Sequence, residues 1–294
     1  MTRPRPRAVF WAGIAAILTL LLAGFGGRLH PAGDSLAVAR IWLVVAGLIW
    51  IGAFVLRHAV RLRAALSLGA VLLAIAATTS AGWLQVAGRA VGPTVYQKNM
   101  SFRLRDTTAL ANDILALRPD IVTLQEIDDD NASLRQQISA ALPSWHRCVS
   151  DTVGGEAIAT HWPVLDRACG PGAAALRVQS PAGPLWIVSV HLHWPWPARQ
   201  ARQVADLLPW LETLDRPVIV AGDFNMVPWS WAVRSIARAT GTARAGAPLH
   251  TFRVRSVAPV AIDNILLPGG TGRAATRPPL GSDHWGLVVT ATEE

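Results

Sequence analysis

Hydrophobic residues divide the chain into two parts with different patterns. The first part contains three long apolar runs, at about residues 8–26, 36–56 and 64–87. Each run is close to the roughly 20 residues that a helix needs to cross a hydrocarbon core. A cleaved signal peptide is an alternative for the first run, but two further runs follow it, and it is long for a signal-peptide core. The pattern therefore predicts three transmembrane helices in a membrane anchor of residues 1–87.

The placement of arginines predicts how this anchor is oriented. Six arginines precede the first run or lie in the loop after the second, namely Arg3, Arg5, Arg7, Arg57, Arg61 and Arg63. The loop between the first two runs holds Arg28 and Arg40, which Asp34 partly offsets. By the positive-inside rule the N-terminus lies in the cytoplasm. Three spans then place residues 88–294 in the periplasm of a bacterium or outside its cell, and Arg40 is expected near a helix end, extending toward the membrane interface.

From about residue 88 onward, short apolar runs alternate with segments of helical spacing. Strands are predicted at residues 94–98, 120–124, 155–160, 174–178, 185–190, 217–221, 261–267 and 285–291, and helices at 107–117, 132–142 and 199–214. Residues 217–221 are β-branched and apolar and lie between a proline and a glycine, as is typical of a central strand. The predominance of strands, with helices between some of them, predicts an α/β sandwich of two packed sheets in one domain, residues 88–294.

Polar side chains recur at the ends of these predicted strands. Asp223 and Asn225 follow the strand at 217–221, and residues two apart point the same way along an extended backbone. The full set is Asn99, Glu126, His191, Asp223, Asn225, Asp263, Asp283 and His284. Carboxylate and amide oxygens suit Mg²⁺ or Mn²⁺ better than zinc, and histidines can supply a base and a hydrogen-bond donor. The sequence therefore predicts a metal-dependent site at one end of the sandwich.

The basic excess of the chain belongs to the anchor. Residues 1–87 carry a net charge of +7 and residues 88–294 a net charge of +1, within a total of +8. The sequence pI of about 11.1 therefore does not indicate nucleic-acid binding by the second part.

Both cysteines, Cys148 and Cys169, fall in the part of the chain that is expected outside the cytoplasm. An oxidising compartment favours a disulfide between them. Two separate buried thiols are the alternative.

The polar strand ends belong to short motifs that resemble, in chain order, the endonuclease/exonuclease/phosphatase (DNase I-like) superfamily. The motifs are Asn99 on the first strand, Leu124-Gln125-Glu126, the segment 155–163, Val190-His191-Leu192, Gly222-Asp223-Phe224-Asn225, Ile262-Asp263 and Ser282-Asp283-His284. The resemblance covers about residues 94–290. It implies a four-layer α/β sandwich of two packed mixed sheets flanked by helices, and phosphoester hydrolysis that depends on a divalent metal ion.

The resemblance also implies a role for each residue of the set. Glu126 would bind Mg²⁺ or Mn²⁺ directly, with Asn99 and Asp283 completing or supporting the metal site. Asp223, and His284 oriented by Asp263, would activate or position the attacking water, and family members differ on which group is the base. The remaining two residues, His191 and Asn225, would donate hydrogen bonds to the phosphate.

The substrate is left open among phosphoesters. A lipid or a small phosphoester, hydrolysed beside the bilayer, is one hypothesis, and a nucleic acid is the second. Five tryptophans follow the motifs and are expected either to pack or to form an aromatic rim that contacts bases or lipid. They are Trp194, Trp196, Trp229, Trp231 and Trp285. A binding domain that retains the fold without catalysis is the alternative function, and the complete polar set counts against it. No obligate protein partner is inferred.

Overall fold

A computed structural model describes residues 6–58, 62–80 and 88–293. The chain divides into two compact units, an N-terminal helical unit and a C-terminal α/β unit. The helices of the first unit are α1 (Pro6–Ala23), α2 (Pro31–Val38), α3 (Arg40–His58) and α4 (Leu62–Ser80). Helix α2 begins where Pro31 occupies the first turn and the His30 side chain accepts a hydrogen bond from the Ala32 amide, an arrangement that satisfies an otherwise unpaired helix donor.

Two helices of the described chain, α1 and α3, are long and apolar enough to cross a membrane by length and composition. A signal sequence near the N-terminus would meet the same criterion as α1. The prediction of three spans is corrected to two candidates, because the third helix counts as a shorter apolar helix at Arg63–Thr79. Residues 81–87 of the predicted third span lie outside the described residues.

Two further expectations about the helical unit are corrected. Residues 36–38 of the predicted second span belong to α2, and the candidate span begins at Arg40. The Arg40 side chain lies at a helix end, as predicted, but it is buried instead of extending outward. Its guanidinium donates a hydrogen bond to the Gly24 carbonyl at 2.7 Å and lies over the Phe25 ring at 3.9 Å. Local protein partners therefore satisfy this charge.

Strands make up most of the α/β unit. They are β1 (Ala90–Asn99), β2 (Ile121–Ile127), β3 (Ser144–Val149), β4 (Gly155–Thr160), β5 (Val164–Gly170), β6 (Ala173–Ser180), β7 (Gly183–His191), β8 (Val218–Asp223), β9 (Ala243–Arg244), β10 (Phe252–Val254), β11 (Ala258–Val260), β12 (Asp263–Leu267), β13 (Gly272–Arg277) and β14 (Gly286–Thr292). The helices are α5 (Thr108–Leu117), α6 (Ser133–Ile138), α7 (Gln200–Glu212) and α8 (Trp231–Thr240).

Two mixed six-stranded sheets form the sandwich. The first has the order β13-β14-β1-β2-β4-β3 and the second β5-β6-β7-β8-β12-β9, while β10 and β11 form a separate hairpin. The sheets pack through an apolar core that includes Val95, Ile158, Ile187 and Ile265. A second cluster joins the outer face of the first sheet to α5 and α6. The mixed α/β sandwich expected from the sequence is confirmed.

Cys148 and Cys169 form a disulfide with a Cα–Cα distance of 5.7 Å. The first cysteine lies on β3 and the second on β5, which are edge strands of different sheets. Of the two alternatives drawn from the sequence, the structure contains the disulfide, and it links the two layers of the sandwich covalently.

Candidate active site

Strand pairing brings the predicted site residues to one edge of the sandwich. Strands β7 and β8 are parallel, and His191 is directly opposite Asp223. Strand β12 runs antiparallel to β8, which puts Asp263 opposite the same aspartate. In the other sheet β1 and β2 are parallel, and Asn99 is opposite Gln125, the neighbour of Glu126. Because parallel strands end at the same edge, side chains far apart in sequence meet there.

Close backbone approaches at this edge require glycine. A Cβ on Gly154 would lie 2.7 Å from the Glu126 carbonyl carbon, and one on Gly222 would lie 2.0 Å from the Val190 oxygen. Glu126 and Asn225 both adopt positive φ, at 59° and 46°. Left-handed backbone is unfavourable for such residues, and it is concentrated at functional positions in proteins. The strained backbone directs both side chains into the site.

A buried imidazole is held between two carboxylates. His284 Nδ1 lies 3.0 Å from Asp263 Oδ2, and His284 Nε2 lies 3.6 Å from Asp223 Oδ2. Burial lowers the pKa of His284, but the Asp263 and Asp223 carboxylates outweigh it and raise this pKa to about 9. Burial raises the pKa of Asp223, with His284 opposing the change. The imidazole is therefore a cation at neutral pH, with Asp263 fixing its orientation.

Asn99 joins the two sheets across the site. Its amide nitrogen donates to Glu126 Oε1 and to Asp223 Oδ2, each at 3.0 Å. The other oxygen of Glu126 accepts from the Phe102 amide at 2.9 Å, and Asn99 Oδ1 accepts from the Ser101 amide at 2.9 Å. Asn99 thus orients two carboxylates from neighbouring sheets toward one another.

His191 faces the same two carboxylates. Its Nε2 lies 3.8 Å from Asp223 Oδ2 and 3.9 Å from Glu126 Oε1, while its buried Nδ1 has no hydrogen-bond partner among the described residues. Burial lowers the pKa of His191, and the nearby Asp223 carboxylate opposes this effect. His191 is thus the neutral histidine of the site and His284 the charged one.

Two predicted residues are placed differently from the rest. Asn225 is buried, and its amide nitrogen donates to the Leu192 carbonyl at 2.7 Å, so one of its two protons is already used within the protein. Its Oδ1 is buried and has no partner among the described residues. Asp283 is exposed and forms no hydrogen bond or ion pair with the other described site residues. The structure therefore gathers seven of the eight predicted side chains and leaves Asp283 at the rim.

The donor set fits a hard divalent cation. Ligand atoms of Asp223, Asp263 and His284 all lie within 4.8 Å of one another, and Asn99 holds Glu126 next to this group. Three carboxylates accompany one charged imidazole, so the site has excess negative charge. The unpaired carbonyl oxygen of Asn225 offers a further hard donor. Oxygen donors and negative charge are what Mg²⁺ and Mn²⁺ require.

Sequence reasoning missed a buried polar network that supports the site. Gln97 donates to Gln125 at 2.6 Å and to Asp263 at 3.0 Å, and Gln125 donates to Ser189 at 3.0 Å. These residues lie on four strands, two from each sheet, namely β1, β2, β7 and β12. Their signal in the sequence is the polar residues, Gln97 and Gln125, one or two positions before the predicted site residues on β1 and β2.

Aromatic residues beside His284 were also only partly foreseen. The Phe252 ring lies against the His284 ring with centroids 4.8 Å apart, and Trp194 meets Phe252 edge-on at 5.8 Å. Trp194, Trp196 and Trp285 are 49%, 48% and 41% exposed. These values agree with an aromatic rim better than with core packing. Phe252 gave no signal, because the short hairpin strand that carries it has no regular hydrophobic pattern.

Comparisons with known proteins support the fold. A model of the endonuclease/exonuclease/phosphatase family matches residues 97–284. The structure is similar to truncated TDP2 of Caenorhabditis elegans, with 16% identity, a TM-score of 0.56 and coverage of 68% of this chain and 98% of that chain. It is also similar to a Staphylococcus aureus beta toxin variant with bound magnesium ions, at 10% identity and a TM-score of 0.53, covering 69% and 100%. No curated protein matches the sequence significantly.

Proposed function

The chain belongs to the endonuclease/exonuclease/phosphatase family, and we propose that it is a divalent-metal-dependent phosphoester hydrolase tethered to a membrane by its N-terminal helices. Members of this family are phosphoester hydrolases. The observation that carries the proposal is the convergence of Asp223, Asp263 and His284, whose side-chain atoms lie within 4.8 Å of one another, with Glu126, which Asn99 links to Asp223.

Glu126 is the best residue to hold the metal ion, because its carboxylate is accessible and oriented by Asn99. A bound Mg²⁺ or Mn²⁺ would polarise a phosphoryl oxygen and offset the negative charge of the transition state. Asn225 Oδ1 is the second oxygen available for it, since it has no partner among the described residues. Asp283, which is exposed at the rim of the site, would support metal binding through its negative charge.

Asp223 is the better candidate for the base of the two that the sequence left open. Its raised pKa makes the carboxylate a stronger proton acceptor, whereas His284 already carries a proton at neutral pH. Asp223 Oδ1 accepts a hydrogen bond from the backbone N–H of Asn225 at 2.8 Å. The carboxylate would take a proton from water as the water oxygen forms a bond to phosphorus and the bond from phosphorus to the leaving oxygen breaks.

The two histidines would stabilise the phosphoryl oxygens in different ways. The Nε2 proton of His284 supplies a charge-assisted hydrogen bond, with Asp263 holding the opposite ring nitrogen at 3.0 Å. His191 Nε2, which lies beside Glu126 and Asp223, supplies a neutral donor. Preorganised donors of this kind account for a large share of catalysis in charged transition states.

The first experiment is turnover by the full-length chain in detergent or nanodiscs. Plasmid DNA, RNA, phospholipid vesicles and small phosphodiesters are each supplied with Mg²⁺, Mn²⁺ or EDTA. Asp223→Asn and His284→Gln should each lower kcat by about 10²–10⁴-fold, and the exposed Asp215→Asn is the matched control. If no substrate shows metal-dependent turnover, or if both site variants retain full activity, the proposed mechanism is wrong. Binding without turnover would favour the non-catalytic alternative.

The different substrates in this experiment separate the two hypotheses, which are hydrolysis of a lipid or small phosphoester and hydrolysis of a nucleic acid. The near-neutral charge of residues 88–294 disfavours strong binding to duplex DNA, which requires many phosphate contacts. The exposed tryptophans and the Phe252 ring beside His284 favour a substrate with an apolar group or a base next to its phosphate. A lipid presented in the bilayer satisfies both observations. Preference for vesicles over nucleic acids is therefore the expected outcome.

A further inference from the structure

Lys98 is the only lysine in the chain, and the other 26 residues in the Lys plus Arg total are arginines. Its side chain is fully buried on β1, one position before Asn99. An ammonium group in such a place is unfavourable unless hydrogen bonds satisfy it. The partners of Lys98 therefore indicate what the residue does.

Strand alternation places Lys98 behind the site rather than in it. Gln97 and Asn99 point inward, where they contact Asp263, Glu126 and Asp223. Tyr96 belongs to the outer cluster of the first sheet, with α5. Since successive side chains on a strand point to opposite faces, Lys98 shares the outer face with Tyr96. It touches neither the predicted metal site nor the space for substrate.

The Lys98 ammonium holds both ends of the loop that carries His284. Nζ donates to the Pro279 carbonyl at 2.8 Å and to the carbonyl of His284 itself. The same end of β1 provides another contact, because Ser282 Oγ donates to the Asn99 carbonyl at 2.8 Å. One strand thus fixes the 279–284 loop at its beginning, middle and end.

This loop needs such contacts because its backbone is strained. Leu280 has a φ of 52°, a conformation that residues with a side chain adopt reluctantly. Gly281 follows at 92°, which glycine permits. The ring of His284 meets Asp263 and Asp223 at 3.0 Å and 3.6 Å, and both distances depend on where its backbone lies. A single nitrogen with three donors suits two converging carbonyls better than the planar fork of arginine does.

We propose that Lys98 is a positioning residue that sets the place of the His284 imidazole by binding the backbone of the loop that carries it. The catalytic consequence rests on the proposed function, whereas the structural role does not. Lys98 contacts the site through the loop that carries His284, and its charge also interacts with the Asp263 and Asp283 carboxylates. We expect metal binding at Glu126 to change little, because the hydrogen bonds of the ammonium go to this loop.

Selective isotope labelling tests the structural role without any substrate. With one lysine in the chain, ¹⁵N-lysine labelling of the full-length protein in micelles gives a single side-chain NMR signal. A buried, hydrogen-bonded ammonium should show an observable, slowly exchanging proton signal at neutral pH. Lys98→Met should then shift the imidazole signals of His284 while leaving those of the exposed His161 unchanged. An ammonium that exchanges as fast as free lysine, or unchanged His284 signals, would overturn the proposal.

Kinetics test the catalytic consequence on any substrate that the wild type hydrolyses. Lys98→Met should lower kcat by about 10–100-fold, the range expected for a misplacement of about 1 Å, with KM and the half-saturating Mg²⁺ concentration within about threefold. Lys98→Arg, which keeps the charge, should recover part of the loss. Leu211→Ala in the core of α7 is the matched control for lost stability. A similar loss of kcat in that control would show that Lys98 is merely structural.

The outcomes of these tests remain separable. If the wild type hydrolyses nothing, the proposed function fails, and the NMR signals still decide whether Lys98 positions His284. If Lys98→Met does not fold, the His284 signals and kcat are measured in Lys98→Arg instead. In that variant a His284 signal identical to the wild type, together with a reduced kcat, would overturn the proposal.

Discussion

At the scale of single residues, His284 links the two carboxylates on which the proposed chemistry depends. Asp263 binds one ring nitrogen at 3.0 Å and Asp223 lies 3.6 Å from the other. The pKa values of the two histidines shift in opposite directions. Two close carboxylates raise the pKa of His284, whereas burial lowers that of His191. The site therefore holds one charged and one neutral donor at the same pH.

The raised pKa of His284 predicts how stability depends on pH. The imidazole has an ordinary pKa of 6.5 and a folded-state pKa of about 9, so its protonation favours the folded state. This contribution is fully present below about pH 6.5 and is lost as the pH rises to about 9. It amounts to on the order of 3 kcal/mol. Thermal unfolding of the wild type should converge toward that of His284→Gln across this range, whereas the exposed His161→Gln should run parallel to the wild type. A difference in thermal unfolding between the wild type and His284→Gln that widens as the pH rises would contradict the raised pKa of His284.

At the scale of elements, Gly154 determines how closely β4 approaches β2 beside Glu126. A methyl group there would meet the Glu126 Cα at 2.8 Å, and the residue has a φ of 68°. Gly154→Ala should therefore lose about 1–3 kcal/mol of stability by overpacking and displace the metal ligand. Gly269→Ala is the control, because Gly269 has a similar φ of 77° and nothing within 4 Å of an added Cβ. Melting temperature and the Mg²⁺ dependence of kcat distinguish the two, and equal effects of both variants would refute the steric argument.

The disulfide makes a second prediction at this scale, since it closes a loop of 21 residues between edge strands. Loss of a cross-link of this length costs about 3 kcal/mol in the chain-entropy model, or about 6–12 °C in melting temperature for a domain of this size. A reductant should lower the melting temperature of the wild type and have no effect on the Cys148→Ser/Cys169→Ser double variant. If the wild type is insensitive to reductant, the two sheets do not depend on this bond.

Elements with strong patterns were predictable from the sequence, and edge elements were not. Strands β2, β4, β7 and β8 are buried on both faces, so they appear as continuous apolar runs. Strand β5 is largely exposed and β3 only half-buried, so their positions depend on pairing with β6 and β4. Helix α8 was missed because arginines interrupt its apolar residues, although its buried face has helical spacing.

The site was predictable as a set of residues but not as a geometry. Its members follow strands that the sequence reveals, and seven of the eight meet at one edge. The bond from Asn225 to the Leu192 carbonyl and the exposure of Asp283 depend on how loops from different strands pack. Lys98 had no separate signal, because its role comes from a loop 181 residues further along the chain.

At the scale of the whole molecule, the number of spanning helices determines where the proposed hydrolysis occurs. Helices α1 and α3 are the candidate spans, and two spans alone would return residues 88–293 to the side of the N-terminus. The two candidate spans and the disulfide predict different sides of the membrane for this unit when the N-terminus is cytoplasmic, because disulfides persist in oxidising compartments.

A reporter fused after Glu294 tests whether the chain crosses the membrane an even or an odd number of times. With three spans and a cytoplasmic N-terminus, alkaline phosphatase should be active, since it requires export, and a β-galactosidase fusion should be inactive. Replacing Arg57, Arg61 and Arg63 by glutamine removes the positive charges between the second and third apolar runs of the sequence. With three spans, this should weaken or invert the phosphatase signal. Blocking of free thiols in intact cells gives an independent readout, because an exported domain should show no reactive cysteine until reductant is added. An active β-galactosidase fusion with reactive thiols would place the α/β unit in the cytoplasm and exclude α4 as a third span.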